Sequence, residues 1–205
     1  MARKTMTPSA ESRAMTDGQI AKAVSNYRAL LEKHAGEFDS RTAQIVLGQP
    51  ELANEMLSVF RRRAEAISEM IVRRVTVVRN RNPQEAISAT NRTEYLNNEV
   101  VDDMPRCEGE EVEVYFFPLK KYTSVADVQR MMEECGLKPD PYAVDAVNEQ
   151  DPIFADKHPN FTQWVDKNGN HCYLAFSRWD GKRDVDCSRS ESGWDGDWFV
   201  CGVRK

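Results

Sequence analysis

Residues 164–204 constrain this chain more than any other stretch, because apolar and polar side chains alternate there with a period of two. Successive side chains of a strand point to opposite faces, so Cys172, Leu174 and Phe176 fall together on one face. Val185 and Cys187 do the same opposite Asp184, Asp186 and Ser188, and Phe199, Cys201 and Val203 form a third set. Turn residues separate the sets: Asn168-Gly169, Trp179-Asp180-Gly181 and Trp194-Asp195-Gly196. The pattern predicts a three-stranded antiparallel meander with one apolar face that the rest of the chain must cover.

Ahead of it the period is helical. Thr16 stands three residues before Gln19, as in a capping box, and Ile20, Ala23, Val24, Tyr27, Leu30 and Leu31 follow at helical spacing to Gly36. A shorter helix is expected through Ala43, Val46 and Leu47, and the longest from Pro50 through Leu52, Met56, Val59, Phe60, Ile67, Met70 and Ile71, ending or fraying into a strand near Val72, the three packing as a helical unit. Arg74 to Arg79 is β-branched and predicts a strand, as does Val112 to Phe117. Two more helices start at Ser124 and at Asp140-Pro141. The class expected is α+β: an N-terminal helical segment, then a mostly antiparallel sheet made of the C-terminal meander and strand 112–117, covered by two helices. The domain reading is a mobile tail at 1–15, a helical segment at 16–106 with a strand at 74–79, and an α+β domain at 107–205. Pairing of Val75–Val78 with the sheet would join the last two into one.

Composition narrows the function classes. At 40% hydrophobic and 30% charged, the chain is ordinary for a globular protein. Its net charge of −5 is unevenly spread: residues 1–100 carry 15 Lys and Arg against 12 Asp and Glu, and residues 101–205 carry 13 against 21. The acidic half opposes nucleic acid lying across the C-terminal sheet. No window approaches eighteen consecutive apolar residues, and no apolar core follows Arg3 and Lys4. A cytoplasmic protein without membrane contact is expected. Five cysteines, an odd number without a Cys-x-x-Cys pair, fit reduced thiols.

The run Asp140-Pro141-Tyr142-Ala143-Val144-Asp145-Ala146-Val147-Asn148-Glu149, continuing to Trp164, with the ending Trp198-Phe199-Val200-Cys201-Gly202-Val203-Arg204-Lys205, resembles a group of uncharacterised bacterial proteins. The resemblance covers about residues 43–205 and implies a bacterial setting and one continuous module. It carries no functional residue over.

The chemistry-bearing residues are few. Cys172, Cys187 and Cys201 fall with the apolar sets and read as core, and His171 and Cys172, being adjacent in a strand, cannot ligate one ion without a bulge. Asp166-Lys167-Asn168-Gly169-Asn170 opens like a calcium loop, but His171 occupies the glycine position and Ser177 the bidentate glutamate position. No metal and no cofactor is expected. His34, His158 and His171 have no motif linking them to a nucleophile, and Cys107 stands among Glu108, Glu110 and Glu111, so an enzymatic reading lacks a constellation.

Two binding surfaces remain. Trp179, Asp180, Trp194, Asp195 and Asp197 would give an aromatic and acidic rim suited to a protein partner, unless the tryptophans pack inward. Arg61, Arg62, Arg63, Arg73, Arg74, Arg79 and Arg81 would serve nucleic acid if they shared a face; Arg61 to Arg63 are consecutive and fan around their helix. A non-enzymatic interaction protein is the first reading and a nucleic-acid binder the alternative, with homo-oligomerisation left open.

Overall fold

The computed structural model describes residues 15–205, so the tail expected at 1–15 lies, but for Met15, outside the described residues. The chain divides into two units, one ending at Leu57 and the other beginning at Ser58.

The first unit is helical. Helix α1 (Asp17–His34) starts where the capping box predicts: the Gln19 amide donates to the Thr16 hydroxyl at 3.3 Å, and the Thr16 amide donates to the Gln19 side chain at 2.9 Å. Helix α2 (Ser40–Leu47) is capped by Asp39, whose carboxylate accepts from the Thr42 amide at 2.9 Å. Helix α3 (Pro50–Ser68) opens on its proline and carries the chain into the second unit. Helices α1 and α2 stand where their spacing predicts, whereas α3 stops at Ser68, before the Met70 and Ile71 expected in it, and Ile71 opens a strand. No residue of α1 or α2 is buried, and Ile20, Val24, Leu31, Ile45 and Leu47 all face solvent. Periodicity defines which face of a helix is apolar; it does not supply what meets that face.

The second unit is built on one sheet. Its strands are β1 (Ile71–Thr76), β2 (Thr93–Leu96), β3 (Glu111–Pro118), β4 (Leu137–Lys138), β5 (Asn160–Val165), β6 (His171–Trp179), β7 (Lys182–Arg189) and β8 (Phe199–Arg204). Their order is β1-β3-β8-β5-β6-β7-β2, with β4 also paired to β8. Five helices join them: α4 (Pro83–Ser88), α5 (Asn98–Asp102), α6 (Val125–Glu134), α7 (Pro141–Gln150) and α8 (Phe154–Lys157).

The sheet is mixed, which corrects the mostly antiparallel arrangement expected. Strands β2 and β7 are parallel, with Thr93 opposite Asp184, and so are β5 and β8, with Asn160 opposite Phe199. The three-stranded meander also dissolves. Strands β6 and β7 do form a hairpin, and β6 pairs with β5, but β8 lies between β3 and β5. The reason is in residues 190–198. After β7 the chain crosses to the other face, where Thr123 and Trp194 exchange two backbone hydrogen bonds of 2.9 Å and the Lys120 amide donates to Gly196. Gly193 and Gly196 lie so close to the backbone of residues 120–123 that neither leaves room for a Cβ. From there the chain enters the middle of the sheet. Strand β1 sits three residues earlier than expected, with Val77 leaving the ladder to donate to Glu110 at 2.7 Å.

Two cores follow. On one face Cys172, Leu174, Phe176, Val185, Cys187, Cys201 and Val203 share a cluster with residues of α4, α5, α7 and α8. Helix α7 is buried from Pro141 to Asn148, as befits a helix enclosed by other elements. On the other face Phe117, Phe161, Ala175 and Val200 meet Val128 and Met132 of α6 and the ring of Trp194. The two covering helices expected are therefore on opposite faces, and three further helices share one of them.

Candidate functional site

The two Trp-Asp-Gly sequences adopt unlike structures. Asp180 and Gly181 have φ of 47° and 76°, the pair of positive values that a two-residue hairpin of matching twist requires. This turn closes β6 against β7 and places Trp179, 78% exposed, opposite Lys182. Trp194, by contrast, is 9% exposed. Its ring stacks on Phe161 at 3.6 Å and 12°, meets Tyr173 and Trp198 edge-on at 5.0 and 5.1 Å, and donates to Gln163 at 3.4 Å. Asp195 and Asp197 are exposed at its turn. Tyr173 lies six residues along β6 from Trp179, roughly 20 Å, so the two tryptophans share no platform.

The arginines expected to serve nucleic acid are divided as well. Arg61 and Arg63 are exposed on α3, and the side chain of Arg62 lies outside the described residues. Arg73 and Arg74 point to opposite faces of β1: Arg73 lies over the Phe154 ring at 4.7 Å, and Arg74 pairs with Glu113 at 2.8 Å. Arg79 grips Asp140 with two bonds of 2.8 and 2.7 Å, and Arg81 grips Glu149 with bonds of 2.6 and 3.0 Å. Asp140 caps α7 and Glu149 lies in its last turn, so these two forks fasten residues 77–82 to the central helix.

A different set of cations converges. The turn geometry sets Arg178 opposite Arg183 at the end of the hairpin, and the parallel pairing of β2 with β7 brings Asn91, Arg92 and Thr93 beside them. Asn91 takes a φ of 53°, turning the chain into β2. Together Arg92, Arg178, Lys182 and Arg183 line an open pocket of about 590 Å³, completed by Asn91, Thr93 and Gly181. No lining residue is acidic.

Arg92 is the unusual member. It is 8% exposed, donates to the carbonyls of Ser177 and Pro152 at 3.2 and 3.0 Å and to Asn148 at 3.4 Å, and lies over the Phe176 ring at 5.3 Å. Its Nε is buried without a hydrogen-bond partner, and among the described residues no carboxylate forms an ion pair with it. Burial draws its pKa below the ordinary value, a shift that Asp156 opposes. Asp156 is the anion shared here. It accepts from Arg183 at 2.9 and 2.8 Å and from Arg178 at 3.3 Å, relieving two like charges set directly across the strands. The hydrogen bond from Arg183 holds its carboxyl below the usual carboxylate range. Alternation puts Trp179 and Lys182 on one face of the hairpin and Arg178 and Arg183 on the other. The tip therefore carries an indole on one side and a cationic pocket on the other.

The remaining candidates are structural in character. His158 packs between the rings of Phe154 and Phe199 at 5.2 and 5.1 Å, and burial lowers its pKa. The Cys107 thiol is pushed up by burial first, then by Asp140, not by the glutamates beside it in sequence. The calcium-like loop is a hairpin in which the Asp166 carboxylate accepts from the Asn170 side chain and from the amides of Asn170 and Asn168 at 2.9 Å, which lowers its pKa to about 2. Gly169 supplies the positive φ of 86°. Among the described residues no group of three His, Cys, Asp or Glu is placed to hold a metal ion, and no helix is long and apolar enough to cross a membrane.

Sequence reasoning finds the hairpin tip and misses the pocket. Arg178 and Arg183 were not singled out, although a two-residue turn at Asp180-Gly181 sets them opposite each other. Arg92 carries no local signal. It arrives through a parallel pairing of two strands far apart in sequence. The chain matches no protein-family model, no curated protein and no solved structure.

Proposed function

We propose that this chain is a non-enzymatic interaction protein that receives an anionic side chain of a partner protein at the β6–β7 hairpin. The observation that carries this reading is Arg92, a nearly buried guanidinium without a paired carboxylate, in the wall of a pocket also lined by Arg178 and Arg183, which share the single carboxylate of Asp156. A buried charge is costly until an opposite charge meets it, so an incoming carboxylate or phosphate would be held by charge-assisted bonds. Trp179, on the other side of the tip, offers the partner a rigid apolar contact, the kind that anchors protein interfaces. A protein suits the site better than nucleic acid, because residues 101–205 carry a net charge of −8 and Arg74, Arg79 and Arg81 are held in ion pairs.

The test uses fluorescent peptides of one sequence bearing glutamate, phosphoserine or neutral serine, titrated against the full chain. The acidic peptides should bind and the neutral one should not, with affinity falling as salt rises. Arg178→Gln, at an exposed position on the pocket side of the hairpin, should weaken binding about tenfold, whereas Lys167→Gln in the distant β5–β6 turn should leave it unchanged. Equal binding of the neutral peptide, indifference to Arg178→Gln, or tighter binding of single-stranded DNA or RNA than of either acidic peptide would each refute the reading.

A further inference from the structure

The pocket at the β6–β7 hairpin already has one carboxylate at its wall, and its charges do not balance. Asp156 of α8 accepts from Nε and Nη2 of Arg183 at 2.9 and 2.8 Å and from Nη1 of Arg178 at 3.3 Å. Arg92 donates to neutral acceptors instead, the carbonyls of Ser177 and Pro152 and the side chain of Asn148. Asp184 follows Arg183 in β7 and so points to the opposite face of the sheet. Three guanidiniums against one carboxylate leave an excess of two positive charges.

We infer, resting on the reading of this pocket as the place where a partner's anionic side chain is received, that the side chain is phosphorylated and not a carboxylate. Charge favours the phosphate. A phosphomonoester carries roughly −1.5 to −2 near pH 7 and so cancels the excess, whereas a glutamate cancels half of it and leaves a nearly buried guanidinium uncompensated. Donor supply favours it too. The Nε of Arg92 is buried without a hydrogen-bond partner, and Nε and Nη2 of Arg178 and Nη1 of Arg183 take no part in the bonds to Asp156. Three guanidiniums therefore retain N–H groups for one ligand, and a phosphate offers an oxygen to each where a carboxylate has only two. Asn91 and Thr93 line the same space and add a side-chain amide and a hydroxyl. The site is also set in advance: neutral partners hold Arg92 and Asp156 holds Arg183, so little ordering remains when the ligand arrives. The internal phosphates of nucleic acid are diesters with a single charge and leave the same excess as glutamate.

Calorimetric titration of the full chain uses three peptides of one sequence, bearing phosphoserine, glutamate, or phosphoserine methylated on its phosphate. Phosphoserine should bind at least about tenfold tighter than glutamate, and the methyl ester, which keeps the phosphorus oxygens but carries one charge, should fall to the glutamate level. Arg178→Gln removes one of the two excess charges at an exposed position and should bring phosphoserine to within about threefold of glutamate. Inorganic phosphate should displace a labelled phosphopeptide only at roughly a hundredfold the concentration that unlabelled peptide needs. Equal affinity for phosphoserine and glutamate, a methyl ester as tight as phosphoserine, or a preference that survives Arg178→Gln overturns the inference and leaves the anion pocket standing. Failure of all three peptides to bind removes both. Displacement by inorganic phosphate as effective as by unlabelled peptide assigns the site to the free ion and overturns the phosphorylated side chain.

Discussion

Asp145 shows how a single residue can stand against its surroundings. It lies within the fully buried part of α7, and neither carboxyl oxygen has a hydrogen-bond partner. Burial raises its pKa well above the ordinary value, Glu149 and Asp140 raise it further, and Arg81 opposes them. The fold favours the protonated carboxyl more than the unfolded chain does, which ionises it above about pH 4. Unfolding therefore releases a proton, and stability falls as pH rises from the unfolded pKa through the folded one. Asp145→Asn should accordingly stabilise the protein near pH 8, by about 1 kcal/mol or more, with the gain vanishing near pH 4. Urea unfolding at the two pH values decides it, and a gain independent of pH would show that Asp145 is ionised in the fold. None of this was legible beforehand. In the sequence Asp145 occupies one position in an ordinary helical run, and only the enclosure of α7 on all sides makes its charge a burden.

At the scale of elements, the two Trp-Asp-Gly turns separate what local sequence conveys from what it does not. Three residues in common gave one hairpin tip with its tryptophan in solvent and one crossing segment with its tryptophan stacked on Phe161. Trp194→Ala should cost about 3–5 kcal/mol, as large aromatic truncations in a core do, and Trp179→Ala should stay within about 0.5 kcal/mol. Comparable losses at the two positions in chemical denaturation would contradict the burial of one and the exposure of the other. The same distinction runs through the sheet. Alternation assigned Cys172, Cys187 and Cys201 to one covered face, where they lie, because a strand's period is a local property. Neighbours are not local. Nothing within Phe199–Arg204 says that it will lie between β3 and β5 instead of beside β7.

At the scale of the whole molecule, the five cysteines divide by depth. Cys172, Cys187 and Cys201 are buried and Cys107 and Cys135 half-buried, all five as free thiols, and burial is the first cause raising the pKa of each. A thiol reagent at neutral pH should reach Cys107 and Cys135 first and slowly, leaving the other three for global unfolding. Mass mapping of the labelled sites checks this, and early labelling of Cys201 would contradict the enclosed sheet. Charge is distributed on the same scale. Of the basic stretch, Arg79 and Arg81 are turned inward onto α7 while Arg61, Arg63 and Arg74 stay exposed, and the cations that converge on open space come from three separate strands or their edges.

The position of β8 has a consequence for how the chain is made. Strands β3 and β5 leave the ribosome well before residues 199–204, and until that segment exists each has one bare edge. Strands β5, β6 and β7 can close on one another at once, through two tight turns. The pairing of β3 with β8, with Val114 opposite Val203, spans most of the second unit and must come last. For that interval during synthesis Phe116 and Phe117 lie beside unpaired backbone, so the nascent chain is most prone to aggregate just before its final strand is added.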